Sequence, residues 1–265
     1  MLKQRVLSAI VLIPLVALVA WLGGWWFTGF VALYAGVTAW ELLRLLGRNE
    51  FAQPIMWLGV PVAALLVAEG GLPQDPLRLQ AFLAVVILLG LVIALFLNRP
   101  SAPTDLLLTL GAAIYLGMTL RFLALMRTRE DGLMWLLVMA VTVWVMDSGA
   151  YFTGRAIGKH KFWERISPKK TWEGFFGGLG FGAIAAAIMV QFLVPGGMWW
   201  QGALLGVIIG IVGPLGDLSE SLFKRQAKAK DSSHLIPGHG GFFDRIDSFI
   251  FVAPVVYLIL QFAGW

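Results

Sequence analysis

Long apolar runs separated by short polar stretches make up most of this chain. A helix of about 20 apolar residues crosses a bilayer. On that measure nine segments qualify as spans: 6–22, 25–46, 54–69, 78–97, 104–126, 132–154, 173–194, 199–220 and 246–263. The third is short, and Pro61 within it predicts a kink. The expected fold is therefore all-α, a polytopic membrane protein of about nine transmembrane helices. Gly174, Gly178 and Gly182 recur every four residues in span seven, and Gly202, Gly206 and Gly210 do so in span eight. In a membrane that spacing predicts close helix packing. The string Gly178-x-Gly180 follows no strand and is no dinucleotide fingerprint.

Composition and charge extend the picture. Hydrophobic residues make up 59% of the chain and charged residues 13%, against about 25% charged in soluble domains. Lys3 and Arg5 precede the apolar run Val6 to Trp21, which resembles a signal peptide without a small-residue cleavage site; the expectation is an uncleaved first span. With the N-terminus cytoplasmic and the C-terminus outside, all Lys and Arg but Arg78, Arg121, Arg127 and Arg129 fall on the cytoplasmic side, the positive-inside pattern. One span more or fewer in the middle would put one of the two basic loops, 155–173 or 221–247, on the wrong side. Trp21, Trp25, Trp26, Trp199 and Trp200 fall at outer span ends, where anchoring explains them. The absence of cysteine excludes disulfides and thiolate metal sites. The sequence pI near 9.7 suits anionic headgroups or phosphate substrates. Nucleic acid is not expected as a partner, because the basic residues lie in short loops between spans.

Two regions follow: residues 1–130, five spans forming a scaffold to which lipid access and dimer contacts are assigned, and 131–265, four spans whose loops 155–173 and 221–247 enclose a polar cavity open to the cytoplasm. Glu41 and Arg44, three apart near a cytoplasmic helix end, are read as a local ion pair.

The stretch from Ser221 to Asp247 carries eight charged side chains in 27 residues. Each Lys, Arg or Asp at mid-membrane would cost about 2.5–3.5 kcal/mol, so the stretch belongs at the surface or along a wet cavity. Asp147 lies inside span six and Asp217 at the end of span eight. Ionisable groups in spans are functional candidates by default, with a structural salt bridge as the alternative. Asp217 and Glu220 are three apart, as are Asp244 and Asp247, so each pair projects from one face of a helix. Such pairs flanking one loop repel unless a cation sits between them. Oxygen ligands without cysteine suit magnesium rather than zinc or copper, and magnesium suits a nucleoside triphosphate. Between the pairs, Pro237-Gly238-His239-Gly240-Gly241 leads into the helix carrying Asp244, where glycine N–H groups and a helix N-terminus favour a phosphate. Lys224, Arg225, Lys230 and Arg245 add positive charge, and His239 is read as a hydrogen-bonding loop residue. Together these point to phosphate chemistry on a lipid.

The string Ser221-x-Phe223-Lys224-Arg225, then Lys230-Asp231, then His239-Gly240-Gly241-x-x-Asp244-Arg245-x-Asp247, resembles the signature of phosphatidate cytidylyltransferases, also called CDP-diacylglycerol synthases. Upstream, Asp147-Ser148-x-Ala150-Tyr151-x-x-Gly154-Arg155 and Ser167-Pro168-x-Lys170-Thr171-Trp172-Glu173-Gly174 are similar to the same family. The motifs cover roughly 145–247, while spans one to five match in hydrophobicity and count. The resemblance implies that CTP and phosphatidate give CDP-diacylglycerol and pyrophosphate in phospholipid biosynthesis, in a homodimer of the bacterial inner membrane with its site facing the cytoplasm. It also implies Mg2+ with K+ beside it, Asp217 and Asp244 as metal ligands, and Asp247 as a ligand or close support. Lys224 and Arg225 would complete the catalytic set. Asp147, Ser148, Arg155, Ser167, Lys170, Thr171, Ser221, Lys230, Asp231, His239, Gly240, Gly241 and Arg245 would bind substrate.

The chemistry agrees with that implication. The attacking group would be the lipid's own phosphate oxygen, already anionic, so neither a serine nucleophile nor a strong base is required. The obstacle is repulsion between two polyanions, which a metal and surrounding cations relieve. Two other readings compete. A CTP-using lipid kinase would attack the γ-phosphate and release CDP. A cation-coupled transporter would bind its ion at Asp147 and Asp217, but the two halves show none of the internal repeat common in transporters. No His-x-Gly-His string and no P-loop is present.

Overall fold

The computed structural model of the chain describes residues 2–48 and 52–265, with side chains from Ile10 onward. Lys3 and Arg5, used in the topology above, lie outside the described side chains. Among the described residues nine helices form: α1 (Leu2–Leu22), α2 (Gly24–Leu46), α3 (Met56–Gly70), α4 (Pro76–Phe96), α5 (Ala102–Arg127), α6 (Gly132–Ile157), α7 (Trp172–Leu193), α8 (Trp199–Gln226) and α9 (Phe243–Ala263). Seven of them, α2 and α4 to α9, are long and apolar enough to cross a membrane; α3 and the described apolar part of α1, Ile10–Leu22, are shorter. Hydrocarbon offers the backbone no hydrogen-bond partner, so apolar segments of this length satisfy their own N–H and C=O groups as helices. In α4 only Val86 and Gly90 are buried, while Val85, Leu88, Leu95 and Phe96 are exposed. Such a face suits lipid.

Two polar segments differ from the sequence expectation. Residues Ser221 to Arg225, expected in a loop, continue α8 to Gln226, because the polar side chains there interrupt the apolar run without breaking the helix. The loop 155–173 contains an antiparallel hairpin, β1 (Lys161–Trp163) and β2 (Ser167–Thr171), pairing Lys161 with Thr171 and Trp163 with Ser167. Glu173 closes its base by accepting from the His160 N–H at 3.2 Å and contacting His160 Nδ1 at 2.6 Å. Phe162 stacks on Phe175 with ring centroids 5.2 Å apart. Among the described residues the named elements are all helices apart from this hairpin.

The chain forms two compact units. One comprises Met1–Thr128 with Phe223–Arg245, the other Arg129–Leu222 with Ile246–Trp265. The first is built on α2, α3 and α5, with Leu42, Leu43, Leu66, Leu116 and Leu120 fully buried. Its buried acids Asp105 and Glu69 are paired. Asp105, fully buried, accepts from the Gln53 N–H at 2.6 Å and pairs with Arg99 at 3.0 Å. Glu69 lies between Arg121, at 2.5 Å, and Arg78, at 3.0 Å.

The second unit is held by small residues. A Cβ on Gly206 would lie 2.5 Å from the Gly182 carbonyl oxygen, and one on Gly178 would lie 2.9 Å from the Met146 carbonyl oxygen. The two glycine rows therefore serve backbone-to-backbone contact between α7 and its neighbours α6 and α8, as the four-residue spacing predicted. Gly180, on the same helix, has open space where its Cβ would be, which supplies a matched control. Gly178→Ala is expected to lower stability by about 1–3 kcal/mol, as overpacking does. Gly180→Ala is expected to leave it unchanged or slightly raised, since alanine favours a helix by up to about 1 kcal/mol. Thermal unfolding of the two variants in detergent decides the point, and equal midpoints would remove the packing assignment.

Candidate active site

In the second unit α8 and α9 approach so closely at Gly216 that a Cβ there would strike the Asp247 carbonyl. The contact brings together three acids, Asp217 and Glu220 on one helix and Asp247 on the other. One carboxylate oxygen from each lies within 4.8 Å of the others. Ionised carboxylates at that spacing repel by about 3 kcal/mol per pair at an effective dielectric near 20. Lys170, on β2, supplies a cation, its Nζ 2.7 Å from Asp217 Oδ2, and Ser221 Oγ donates to Asp217 Oδ1 at 3.4 Å.

Beside Asp217 lies a cavity of about 410 Å³, within the range of small-molecule sites. Asp147, Tyr151 and Arg155 line it from α6, Phe162, Lys169 and Lys170 from the hairpin, Phe175 from α7, and Pro214 and Asp217 from α8. Pro214 has no N–H to give the carbonyl of Gly210, a residue that also lines the cavity. One pocket thus has acidic groups, three basic side chains and an aromatic wall.

The first unit holds a separate cluster around Asp244, at the start of α9. Its Oδ2 accepts from the Ser232 N–H at 2.9 Å, from Ser232 Oγ at 2.7 Å and from the Gly241 N–H at 2.8 Å. Its Oδ1 meets Lys224 Nζ at 2.7 Å. The glycine turn is sharp: Gly238 and Gly240 have φ of 77° and 84°, the left-handed region that a side chain disfavours. A Cβ on Gly240 would also crowd Asp244 Oδ2 at 2.8 Å. At the N-terminus of α9 the Phe242 and Phe243 N–H groups donate to the carboxylate of Glu41, at 3.0 and 2.7 Å.

These positions refine the sequence reading residue by residue. Asp217 and Asp247 are brought together, with Glu220 beside them. Asp244, paired with Asp247 by spacing, makes its contacts instead with Lys224, Ser232 and Gly241. Of the glycine N–H groups expected to face a phosphate, that of Gly241 donates to Asp244, and the helix N-terminus expected to face one receives Glu41. Asp147, Arg155, Lys170 and Thr171 line the cavity, although Thr171 also caps α7, its Oγ1 accepting from the Gly174 N–H at 3.2 Å. Ser148 donates back to the Trp144 carbonyl at 2.8 Å, and Ser167 sits in β2 opposite Trp163. Arg225, Lys230 and Arg245 are exposed, whereas Asp231 and His239 are half-buried.

Glu41 does not pair with Arg44 among the described residues. Arg44 is exposed and lies over the Trp40 ring at 5.2 Å, while Glu41 turns to the distant loop. The sequence reading gave Glu41 only a local ion pair and passed over Ser232, Lys169, Phe162 and Phe175. For Glu41 the signal was present, an acid inside an apolar span; the others carry none without the tertiary structure.

The three clustered acids offer only oxygen donors, the set a hard cation such as magnesium takes. They fit that ion by donor chemistry.

The sequence profile of the cytidylyltransferase family matches residues 3–263. Curated relatives cover nearly the whole chain. A protein of Pseudomonas aeruginosa named phosphatidate cytidylyltransferase is 39% identical over 100% of this chain and 99% of its own. Proteins of the same name are 37% identical in Staphylococcus saprophyticus, over 97% of this chain and 98% of theirs, and 33% identical in Bacillus subtilis, over 97% of both.

The acid trio predicts ion binding that does not depend on turnover. In a titration with Mn2+ followed by electron paramagnetic resonance, Asp217→Asn and Asp247→Asn are each expected to weaken binding about tenfold or more, as loss of a metal-site group does. Wild-type affinity in both would dismiss the trio as an ion site.

Proposed function

The chain belongs to the cytidylyltransferase family, and from that premise we propose that it transfers the cytidylyl group of CTP to phosphatidate, giving CDP-diacylglycerol and pyrophosphate. The observation that carries this reading is the agreement in name and length of relatives 33–39% identical to nearly all of the chain. Phospholipid biosynthesis at the bacterial inner membrane, a site facing the cytoplasm and a homodimer belong to the same proposal. Phosphatidate keeps its acyl tails in the bilayer while CTP comes from the cytosol, so a site at the membrane face meets both.

In the proposed reaction a phosphate oxygen of the lipid forms a bond to the α-phosphorus of CTP, and the bond from that phosphorus to the α,β-bridging oxygen breaks as pyrophosphate leaves. No proton is removed from the nucleophile, so the residues have to gather and orient anions rather than act as a base. Arg155, Lys169 and Lys170 on the cavity wall suit that task, presenting cations to phosphate oxygens in a pocket partly screened from water. Lys170 also meets Asp217, so an anion there would compete with the carboxylate for the ammonium group. In the first unit, Lys224 is held by Asp244. Tyr151, Phe162 and Phe175 offer an apolar wall. We propose that Asp217, Asp247 and Glu220 hold magnesium, which when bound would supply charge neutralisation and alignment of the triphosphate. K+ is proposed beside it on family resemblance.

The test is purified protein with CTP, phosphatidate and Mg2+, scored for the nucleotide-derived product. Pyrophosphate and CDP-diacylglycerol are expected; release of CDP would instead indicate a kinase and end this reading. Activity is expected to vanish with a chelator and return with Mg2+. Asp217→Asn and Asp244→Asn are each expected to lower turnover by about 100-fold or more, as loss of a key charge does, with unfolding midpoints near wild type; wild-type rates in either would remove that residue's role. Cysteines introduced at exposed positions of 155–173 and 221–241 should react with membrane-impermeant reagents from the cytoplasmic side alone. Labelling from the opposite side would overturn the orientation.

A further inference from the structure

We propose that Glu41 is a positioning residue: a buried anionic cap, contributed by α2, that holds the segment from Ser232 to Phe243 in the conformation in which Asp244 meets Lys224. The kinetic part of this inference rests on the cytidylyltransferase reading, and the structural part stands without it.

Glu41 is 0% exposed, between the fully buried Ala39 and Leu43. A carboxylate in such a place carries a desolvation cost of several kcal/mol unless donors surround it. Four donors reach it, all from one remote segment. Oε1 accepts from Ser233 Oγ at 2.5 Å and from the Phe242 N–H at 3.0 Å. Oε2 accepts from the Phe243 N–H at 2.7 Å and is 3.3 Å from Ser232 Oγ. The Phe242 and Phe243 N–H groups lie where α9 begins, where a helix leaves N–H groups without internal partners and favours a negative charge. The cap therefore comes from another helix, 201 and 202 residues away in sequence, where a local Ser or Asp would ordinarily serve.

The same helix holds Phe242 a second time. Tyr34, seven residues before Glu41 on α2, donates its hydroxyl to the Phe242 carbonyl at 3.0 Å and sets its ring edge-on to the Phe242 ring at 5.0 Å. Both main-chain polar groups of Phe242, its N–H and its carbonyl, are thus tied to α2. Gly241 leaves no tolerance in between, since a Cβ there would overlap Ser232 Oγ and crowd Glu41 Oε1. Its glycine requirement is set by crowding.

The link to Asp244 runs through Ser232, which is 1% exposed. Its single hydroxyl hydrogen serves two carboxylates, Asp244 at 2.7 Å and Glu41 at 3.3 Å, while its N–H is committed to Asp244. Two anions would repel across one serine unless each had other donors. Glu41 has the α9 N–H groups, and Asp244 has Gly241 and Lys224. If the charge at Glu41 is removed, the loop loses its acceptor, Ser232 and Gly241 are no longer held in place, and Asp244 and Lys224 lose their fixed geometry.

The experiment uses the full-length protein in lipid nanodiscs. Glu41→Gln keeps the shape but replaces one acceptor oxygen by an NH2 group that faces donors. Main-chain amides across 232–243 are expected to exchange with deuterium about tenfold faster, a local opening, with α7 and α8 unchanged. In the same samples kcat is expected to fall about 10- to 100-fold, as small misplacements of active groups do, while KM for CTP stays within about threefold. Ser233→Ala removes one donor and is expected to fall between wild type and Glu41→Gln in both readouts. It decides the matter if Glu41→Gln does not fold. Unchanged loop exchange with unchanged kcat overturns the proposal, and so does faster exchange spread evenly over all helices with a lowered unfolding midpoint. Localised faster exchange in a protein whose wild type shows no CTP-dependent turnover would sink the functional reading and leave the clamp standing.

Discussion

A carboxylate can remain charged inside an apolar helix bundle only where donors or cations replace the water it has left. That constraint decides how this protein is built. Asp105 is answered by Arg99 and a loop N–H, Glu69 by two arginines, and Glu41 by the start of another helix. In each case a buried acid joins segments distant in sequence. These acids are the polar attachment points that tell otherwise interchangeable apolar helices where to sit, because leaving one unanswered would cost several kcal/mol.

The acids of the second unit are arranged differently. Asp217, Glu220 and Asp247 have been brought close to one another, with Lys170 on one of them. The packing that does this is glycine packing, since Gly216 lets α9 approach α8 at backbone distance and the two four-residue glycine rows do the same among α6, α7 and α8. Small residues therefore perform two tasks with one mechanism. They hold helices together where lipid supplies no hydrophobic driving force between them, and they set the separation of the charged side chains beside them.

The hairpin completes the cavity. Its strands are too short to be stable alone, and they rest on the Phe162, Trp172 and Phe175 cluster and on the Glu173 clasp. It delivers Lys169 and Lys170 to the wall of the pocket. Two of the three cations on that wall, Lys169 and Lys170, ride on the hairpin, and the third, Arg155, is on α6.

The helices and their order follow from the sequence alone, because continuous apolar runs of about 20 residues can satisfy their backbone in hydrocarbon within the segment itself only as helices. The sequence also shows that charge is gathered into 155–173 and 221–247, that Asp217 and Glu220 share a helix face, and that the glycine rows are for packing. Family membership was legible in the motifs between 145 and 247. What the one-dimensional pattern could not hold is which acid answers which donor. Asp244 and Asp247 stand three apart, yet the first turns to Lys224 and Ser232 while the second joins Asp217. Glu41, three residues from Arg44, passes it over for partners about 200 residues away. Helix periodicity fixes the side of the helix on which a side chain leaves, but its partner is chosen by the packing of other segments. Only the tertiary structure contains that choice.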